Sequence, residues 1–358
     1  MKYALLIFVA LSLSFFFGCK KDKISYTPTP YTLEIPSHFP QMIIPGDNPM
    51  TKEGVALGRM LFYETQLSRD NSISCASCHA PQNAFSDSNQ FSEGVNGTLG
   101  NRQSMALINL GWNSFFFWDG RAKTLEEQIL EPVENPVEMH ETWPNVVKKL
   151  DQSVEYRTMF MQAFSSPGID KYRSAKAIAQ FLRTMISGNS KYDVMYKFEN
   201  GFNLTSEEQA IYTSVTPNEW AGYDLFQSVN GADCLHCHNG TLMQIQKFSN
   251  NGLDSEFADL GRGDVTGNPS EYGKFKVPTI RNIAYTAPYM HDGRFSTLDE
   301  VINHYSNGIV QSPTLDPLIE FSFQGGVQLD AFEKQLLKEF LLTLSDESFM
   351  NNTDFKQP

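Results

Sequence analysis

The sequence predicts an all-α protein made of two similar domains. Three observations predict it. The pentapeptide Cys-x-x-Cys-His occurs twice, as CASCH (Cys75 to His79) and CLHCH (Cys234 to His238). A longer phrase also occurs twice, WDGRAKTLEEQI from Trp118 to Ile129 and HDGRFSTLDEVI from His291 to Ile302. Apolar residues in and after each phrase recur three and four apart, the spacing of a helix face rather than of a strand.

The chain has 358 residues, room for two modest domains, and 41% of them are hydrophobic, enough for a packed core. Its net charge of −13 argues against a nucleic-acid partner and suits a basic protein partner or a small molecule. The first residues read as an export signal: Lys2, the apolar run ALLIFVALSLSFFF, then Gly18-Cys19. A small residue directly before a cysteine, followed by KKDK, resembles a bacterial lipoprotein signal, with Phe16 where leucine is usual. Residues 1–18 are then the lipoprotein signal peptide and Cys19 the lipidated first residue; a plain secretory signal is the alternative. Both place the protein in the periplasm or cell envelope, the first with a lipid anchor as its only hold on the membrane. Residues 19–48 form a polar, proline-containing tether and N-terminal arm.

With Cys19 assigned to lipid and the other four cysteines to the two motifs, none remains for a disulfide. C-x-x-C-H is the attachment signal for a c-type haem. Each thiol adds to a vinyl group of the porphyrin, and the histidine that follows is placed to ligate the iron. A redox dithiol or half a zinc site would account for one copy. Two copies in an exported chain point instead to two covalent c-type haems, attached at Cys75 and Cys78 and at Cys234 and Cys237, with His79 and His238 as iron ligands. His236 is a spacer in its loop.

The neighbourhoods repeat as well. GRMLF (Gly58 to Phe62) precedes the first motif and GYDLF (Gly222 to Phe226) the second. A shift of 173 positions carries Asp119 onto Asp292 and Asn109 onto Asn282 without a gap. Each unit reads as a helix, a haem-attachment loop, a long connection, an asparagine-to-DGR segment and another helix. This is domain duplication rather than a short solenoid repeat. Each unit looks like a small helical cytochrome c domain, one over residues 49–204 and one over 205–358.

Capping boxes start the helix after each DGR, Thr124 with Glu127 and Thr297 with Glu300. In the second helix Leu298, Val301, Ile302 and Tyr305 share a face, with His304 off it; the first carries Leu125, Gln128, Ile129 and Pro132 there. Tyr305 thus corresponds to Pro132. If these faces cover the haems, the second iron meets a phenol that can bind it and the first meets a proline that cannot. A six-coordinate iron transfers electrons, whereas a five-coordinate one has room for peroxide. Gln128 lies on the open face and Glu138, in ENPVEM, shortly beyond. A carboxylate there would carry the peroxide proton from the inner to the outer oxygen and make water the leaving group. The plainer reading of Glu138 is a solvated surface acid.

From about Pro49 to Leu344 the residues resemble the bacterial dihaem cytochrome c peroxidase family, including its MauG-like branch. The motifs that carry this are SCASCH, FFFWDGRAKTLEEQ, PVENPVEM, CLHCH and VPTIRNIAYTAPYMHDGRFSTLDEVINHY. The resemblance implies two cytochrome c domains with their haems across the interface. It implies reduction of hydrogen peroxide to water with electrons from a small donor protein such as a c-type cytochrome or cupredoxin. Residues 49–204 become the peroxidatic haem domain and 205–358 the electron-transfer haem domain, and a homodimer is compatible with it. Trp118 would lie between the haems and pass electrons, Glu138 would be the distal acid, and Gln128 and Pro132 would line the distal pocket. Backbone carbonyls of Thr286 and Pro288 would hold a calcium ion, with Gln103 where an asparagine usually joins them.

Two departures bear on mechanism. Many family members carry a histidine on the loop after the first CxxCH that ligates haem 1 when both haems are oxidised. Here that loop, FSEGVNGTLGNRQ, has none, so haem 1 should be open in every redox state. Where other members place methionine on haem 2 stands Tyr305, the MauG-like arrangement, and an oxygen ligand should lower that haem's potential. Met290 and His291, in APYMHDGR, are rival ligands. The leading function is a peroxidase. The alternatives are a MauG-like oxidase that uses peroxide on a protein or organic substrate, and a dihaem electron carrier, which the missing histidine and Pro132 oppose. Elsewhere His38 and His140 read as solvated, Phe115-Phe116-Phe117 as core beside a haem, and residues 174–187 and 330–344 as core helices. The Gly/Asn-rich segment 239–276 reads as a long loop near the entry site for a partner.

Overall fold

The computed structural model describes residues 26–319 and 321–358, so the expected signal peptide and Cys19 lie outside the described residues. Helices carry the fold. The first half contains α1 (Lys52–Phe62), α2 (Cys75–Cys78), α3 (Leu125–Glu134), α4 (Trp143–Asp151), α5 (Val154–Phe164) and α6 (Lys171–Arg183). The second contains α7 (Lys191–Glu199), α8 (Ser206–Thr213), α9 (Pro217–Gln227), α10 (Arg262–Thr266), α11 (Leu298–Asn307), α12 (Ala331–Leu342) and α13 (Glu347–Asn351). Two short strands, β1 (Phe248–Ser249) and β2 (Phe275–Lys276), pair antiparallel.

The duplication is geometric as well as textual. In each half a glycine lets two helices touch backbone to backbone. A Cβ at Gly58 of α1 would sit 1.9 Å from the Ala177 carbonyl of α6, and one at Gly222 of α9 would sit 2.1 Å from the Leu336 carbonyl of α12. This contact explains why GRMLF and GYDLF both begin with glycine. The offset of 173 then holds through a whole series of backbone features. Asn109 and Asn282 are both left-handed with φ of 56°, and Gly120 and Gly293 have φ of 67° and 64°. Bridges join Phe116 to Ala122 and Tyr289 to Phe295, and α3 and α11 begin and end at corresponding residues.

Both of these helices are capped by their threonine, but the reciprocal half of the box differs. Glu300 accepts from the Thr297 amide at 2.8 Å, closing the expected box. Glu127 reaches one residue further back, to the Lys123 amide at 2.9 Å. The helix start is the same; the second expected bond of α3 is replaced by its neighbour.

Among the described residues there are two hydrophobic cores, and they divide the chain differently from the expected split at 204/205. α7 lies on the first side of that split, yet its Tyr192 and Met195 pack in the second core with Tyr223 and Phe340. The C-terminal Phe349 and Phe355 return to the first core, against Phe85. A sequence reading by motif order misses this exchange because each segment follows its apolar contacts, not its nearest motif.

His38 is also placed differently from the sequence reading. It is buried, with Nε2 2.7 Å from Asp193 Oδ1. Arg281 clamps the same carboxylate with bonds of 2.9 and 2.6 Å. Burial alone would raise the Asp193 carboxyl, but the Arg281 charge and the His38 and Arg281 hydrogen bonds hold it well below the usual carboxylate range. His140 is half-buried.

Candidate functional site

One cavity of about 510 Å³ spans the junction of the two cores and is lined by both CxxCH motifs. Cys75, Cys78, His79, Cys234, Cys237 and His238 all face it. None of the four cysteines is in a disulfide. Burial is the main cause that pushes Cys75 and Cys234 up to about 12, and Cys78 and Cys237 up to about 11, so all four are neutral thiols.

The chemistry of the two histidines follows from their hydrogen bonds. His79 Nδ1 lies 3.0 Å from the Phe85 carbonyl and His238 Nδ1 3.4 Å from the Met243 carbonyl. Burial lowers the His79 pKa and pushes that of His238 down to about 4, so both rings are neutral. A carbonyl can only accept, so Nδ1 carries the proton and Nε2 keeps its lone pair for a metal. Two thiols and one such nitrogen, repeated on the walls of an apolar cavity, fit two covalently attached haems. His236 is held by Asp233, with Nδ1 3.0 Å from Oδ2.

On the wall beside the first motif, α3 contributes Gln128, Ile129 and Pro132, and the segment after it contributes Asn135, Val137 and Glu138. Asn135 Nδ2 donates to Glu138 Oε1 at 2.6 Å. Burial still raises the Glu138 pKa, in spite of that bond and of the Arg121 charge. The loop FSEGVNGTLGNRQ closes over this segment: the Val95 amide donates to the Glu138 carbonyl at 2.8 Å. Glu138 is therefore a cavity acid and not a solvated one.

α11, packed in the core that holds Cys234, contributes Val301 and Tyr305 to the cavity. Met290 and His291 line the same cavity, so Tyr305 and both its rivals are present in it. Asn251 ties Tyr305 and Met290 together, with Nδ2 3.2 Å from Tyr305 Oη and 3.3 Å from Met290 Sδ. Burial pushes the Tyr305 phenol up to about 12, while the Asn251 donor acts to lower it. Sequence reasoning missed Asn251, which sits in an SNNG turn with no motif to mark it. His304, off the Tyr305 face, is buried against the Asn251 carbonyl at 2.9 Å.

Trp118 lines the same cavity. Its Nε1–H donates to the Gln103 carbonyl at 2.7 Å, and its own carbonyl accepts from the Lys276 amide at 2.7 Å. The Gln103 amide in turn donates to the His291 carbonyl at 2.8 Å. Its counterpart in the repeat, His291, stacks on Phe275 with centroids 3.7 Å apart. Phe115, Phe116 and Phe117 line the cavity too. Gln103, Thr286 and Pro288 share this lining. Gln103 spends Nε2 on Ser86 Oγ and the Asp87 carbonyl, leaving Oε1 as the oxygen it can offer a cation.

The segment 239–276, expected as a long loop, is tied to the first half. Arg262 donates to the Asp119 and Gly120 carbonyls, and Asp259 pairs with Arg102 at 2.7 Å. It is long because it crosses from one half to the other and supplies part of the cavity wall. Among the described residues, no helix is long and apolar enough to cross a membrane.

Comparison with known proteins identifies the family. The profile of the family described as di-haem cytochrome c peroxidase matches residues 52–201. The methylamine utilization protein MauG of Methylophilus methylotrophus is 34% identical over 275 residues, covering 76% of this chain and 77% of its own. The cytochrome c551 peroxidase of Nitrosomonas europaea is 34% identical, covering 71% of this chain and 73% of its own. A crystal structure of a MauG-like protein associated with microbial copper homeostasis superposes with a TM-score of 0.80 at 33% identity, over 92% of this chain and 99% of that one. Similarity of this extent, on a fold that brings both haem-attachment motifs to one cavity, shows that the chain belongs to the di-haem cytochrome c peroxidase family and is a peroxidase-type oxidoreductase.

Proposed function

We propose that hydrogen peroxide is reduced on the side of the cavity held by His79, with Glu138 as the proton-transfer group. The observation that supports this reading is an asymmetry in the cavity lining: α3, packed in the core with Cys75, brings Pro132, with Glu138 just beyond it, whereas α11, packed in the core with Cys234, brings Tyr305. When bound, each haem supplies a redox-active iron, and the one beside His79 supplies the place where peroxide reacts. Pro132 has no atom that can take that place. Glu138 Oε2 accepts the proton from the inner peroxide oxygen and returns it to the outer one, so that water leaves. Asn135 holds Oε1 and aims the other oxygen. Gln128 is a further polar group on that wall. Trp118 lies on the route for electrons from the second domain, its indole fixed by the Gln103 carbonyl. The test is steady-state peroxide reduction with a reduced c-type cytochrome as donor: the wild type turns over and Glu138→Gln loses most of its rate.

A second reading, an oxidase that uses peroxide on a protein or organic substrate, is favoured by Tyr305 with its Asn251 hydrogen bond in place of a methionine alone. A low-potential second haem would store an oxidising equivalent instead of accepting electrons from a donor. Failure of every reduced c-type cytochrome or cupredoxin to support turnover, with peroxide still oxidising the protein, would favour it.

The reading also includes export to the periplasm or cell envelope with a lipid at Cys19, a homodimer, and a calcium ion at Gln103 Oε1 and the Thr286 and Pro288 carbonyls. That calcium site would be built from neutral oxygens alone, and no group of three or more His, Cys, Asp or Glu suited to a metal occurs among the described residues.

A further inference from the structure

Three lysine or arginine side chains line the cavity: Arg102, Arg121 and Lys276. Arg102 pairs with Asp119 and Asp259, and Arg121 with Asp119 and Glu131. Among the described residues, Lys276 has no carboxylate partner and its Nζ makes no hydrogen bond. It is nevertheless 4% exposed. Its backbone is fixed on both sides, by the β2 pairing of Lys276 with Phe248 and by the bond to the Trp118 carbonyl. The neighbouring Phe275 ring is held on His291 and next to Arg102, so the strand has little freedom to release Lys276 to solvent. Burial alone pushes its pKa down to about 8, which leaves a substantial ammonium population at neutral pH. An ammonium on an enclosed side chain at a cavity wall with no counter-charge is costly, and an anion held in the cavity would offset that cost.

We propose that Lys276 is the counter-ion of a haem propionate at the domain junction, and that its charge raises the reduction potential of that haem beside Trp118. The inference rests on the two-haem reading, since the haem is the occupant of this cavity and its propionates are the carboxylates it would bring. Lys276 is a positioning residue: it pairs with the porphyrin edge and not with the iron or peroxide. A positive charge near the porphyrin favours the reduced iron, which carries one positive charge fewer. Loss of that charge therefore lowers the potential.

The test uses the holoprotein with both haems attached, counted as pyridine haemochrome, and spectroelectrochemical titration of each haem. Lys276→Met should lower the midpoint potential of one haem and move the other less, while Lys276→Arg should keep both near the wild-type values. The haem that moves identifies the propionate. Two haems per chain with unchanged potentials in Lys276→Met would overturn the proposal and leave the two-haem reading intact. Fewer than two haems in the wild type would overturn both. If Lys276→Met does not mature, the crystal structure of the wild-type holoprotein decides: Nζ within hydrogen-bond distance of a propionate oxygen supports the pairing, and Nζ bonded elsewhere refutes it.

Discussion

Pro132 on α3 and Tyr305 on α11 hold the same place in two copies of one helix, and both side chains line the same cavity. The copies start and stop at corresponding residues and are capped by corresponding threonines, so the backbone that delivers the two side chains is the same. What differs is chemistry. A phenol can bind iron and a pyrrolidine ring cannot. One substitution at this place would then suffice to divide the labour between the two haem sites proposed above.

Replacing Tyr305 by phenylalanine should therefore perturb the low-spin haem signal and leave the high-spin one unchanged. An unchanged low-spin spectrum would transfer the ligand role to Met290, which shares the Asn251 amide with Tyr305. Removing the shared donor, in Asn251→Ala, should alter the same low-spin signal.

Glu138→Gln should lower peroxide turnover by about 10²–10⁴, the usual contribution of one acid–base group. Its spectrum should keep the high-spin signal, because the carboxylate does not bind iron in this account. Burial raises the Glu138 pKa, so the active carboxylate is lost at a higher pH than an ordinary glutamate would allow. Turnover should fall on the acid side through that raised value, and the residual rate of Glu138→Gln should lack this limb. A pH–rate profile of both proteins checks the sign.

The two helix crossings predict a matched pair of stability losses. Gly58→Ala and Gly222→Ala each drive a methyl group into a carbonyl of the facing helix. Each should destabilise the protein by about 1–3 kcal/mol or more, the range for overpacking. Alanine at the nearby Gly46, which has nothing within 4 Å of its Cβ position, should cost far less. Thermal unfolding of the three variants measures the contrast.

Asp193→Asn removes the one carboxylate shared by His38 and Arg281. Leaving the Arg281 charge buried and uncompensated should destabilise by about 3–5 kcal/mol. The Asp193 carboxyl is depressed in the folded state, so its contribution is fully present above the unfolded value of about 3.9 and is lost as pH falls through the lower folded value. The stability gap between wild type and Asp193→Asn should thus be constant from neutral pH to about 4 and shrink below it. Denaturant titrations at several pH values test this.

Much of the architecture is legible in the sequence because the duplication preserves spacing. Motif, asparagine-to-DGR segment and capped helix can each be found from local residues alone, whereas the left-handed backbone at Asn109 and Asn282 is seen only in the fold. What escapes is set by partners far away in the chain. His38 looks solvated among prolines and a serine, and only the fold brings it to Asp193, 155 positions on. Asn251 looks like one polar turn residue among several until its loop is laid over α11. The segment 239–276 has the composition of a loose loop, yet Arg262 and Asp259 pin it to the other half. Local composition reports how a segment would behave alone, and these segments are ordered by hydrogen bonds to residues distant in the sequence.

An open haem site beside Pro132 and a closed one beside Tyr305 differ in spin state, which electron paramagnetic resonance of the oxidised, as-isolated holoprotein reads. One high-spin ferric haem, from the site with Pro132, is expected alongside one low-spin ferric haem, from the site with Tyr305. Two low-spin haems would mean that neither site is open.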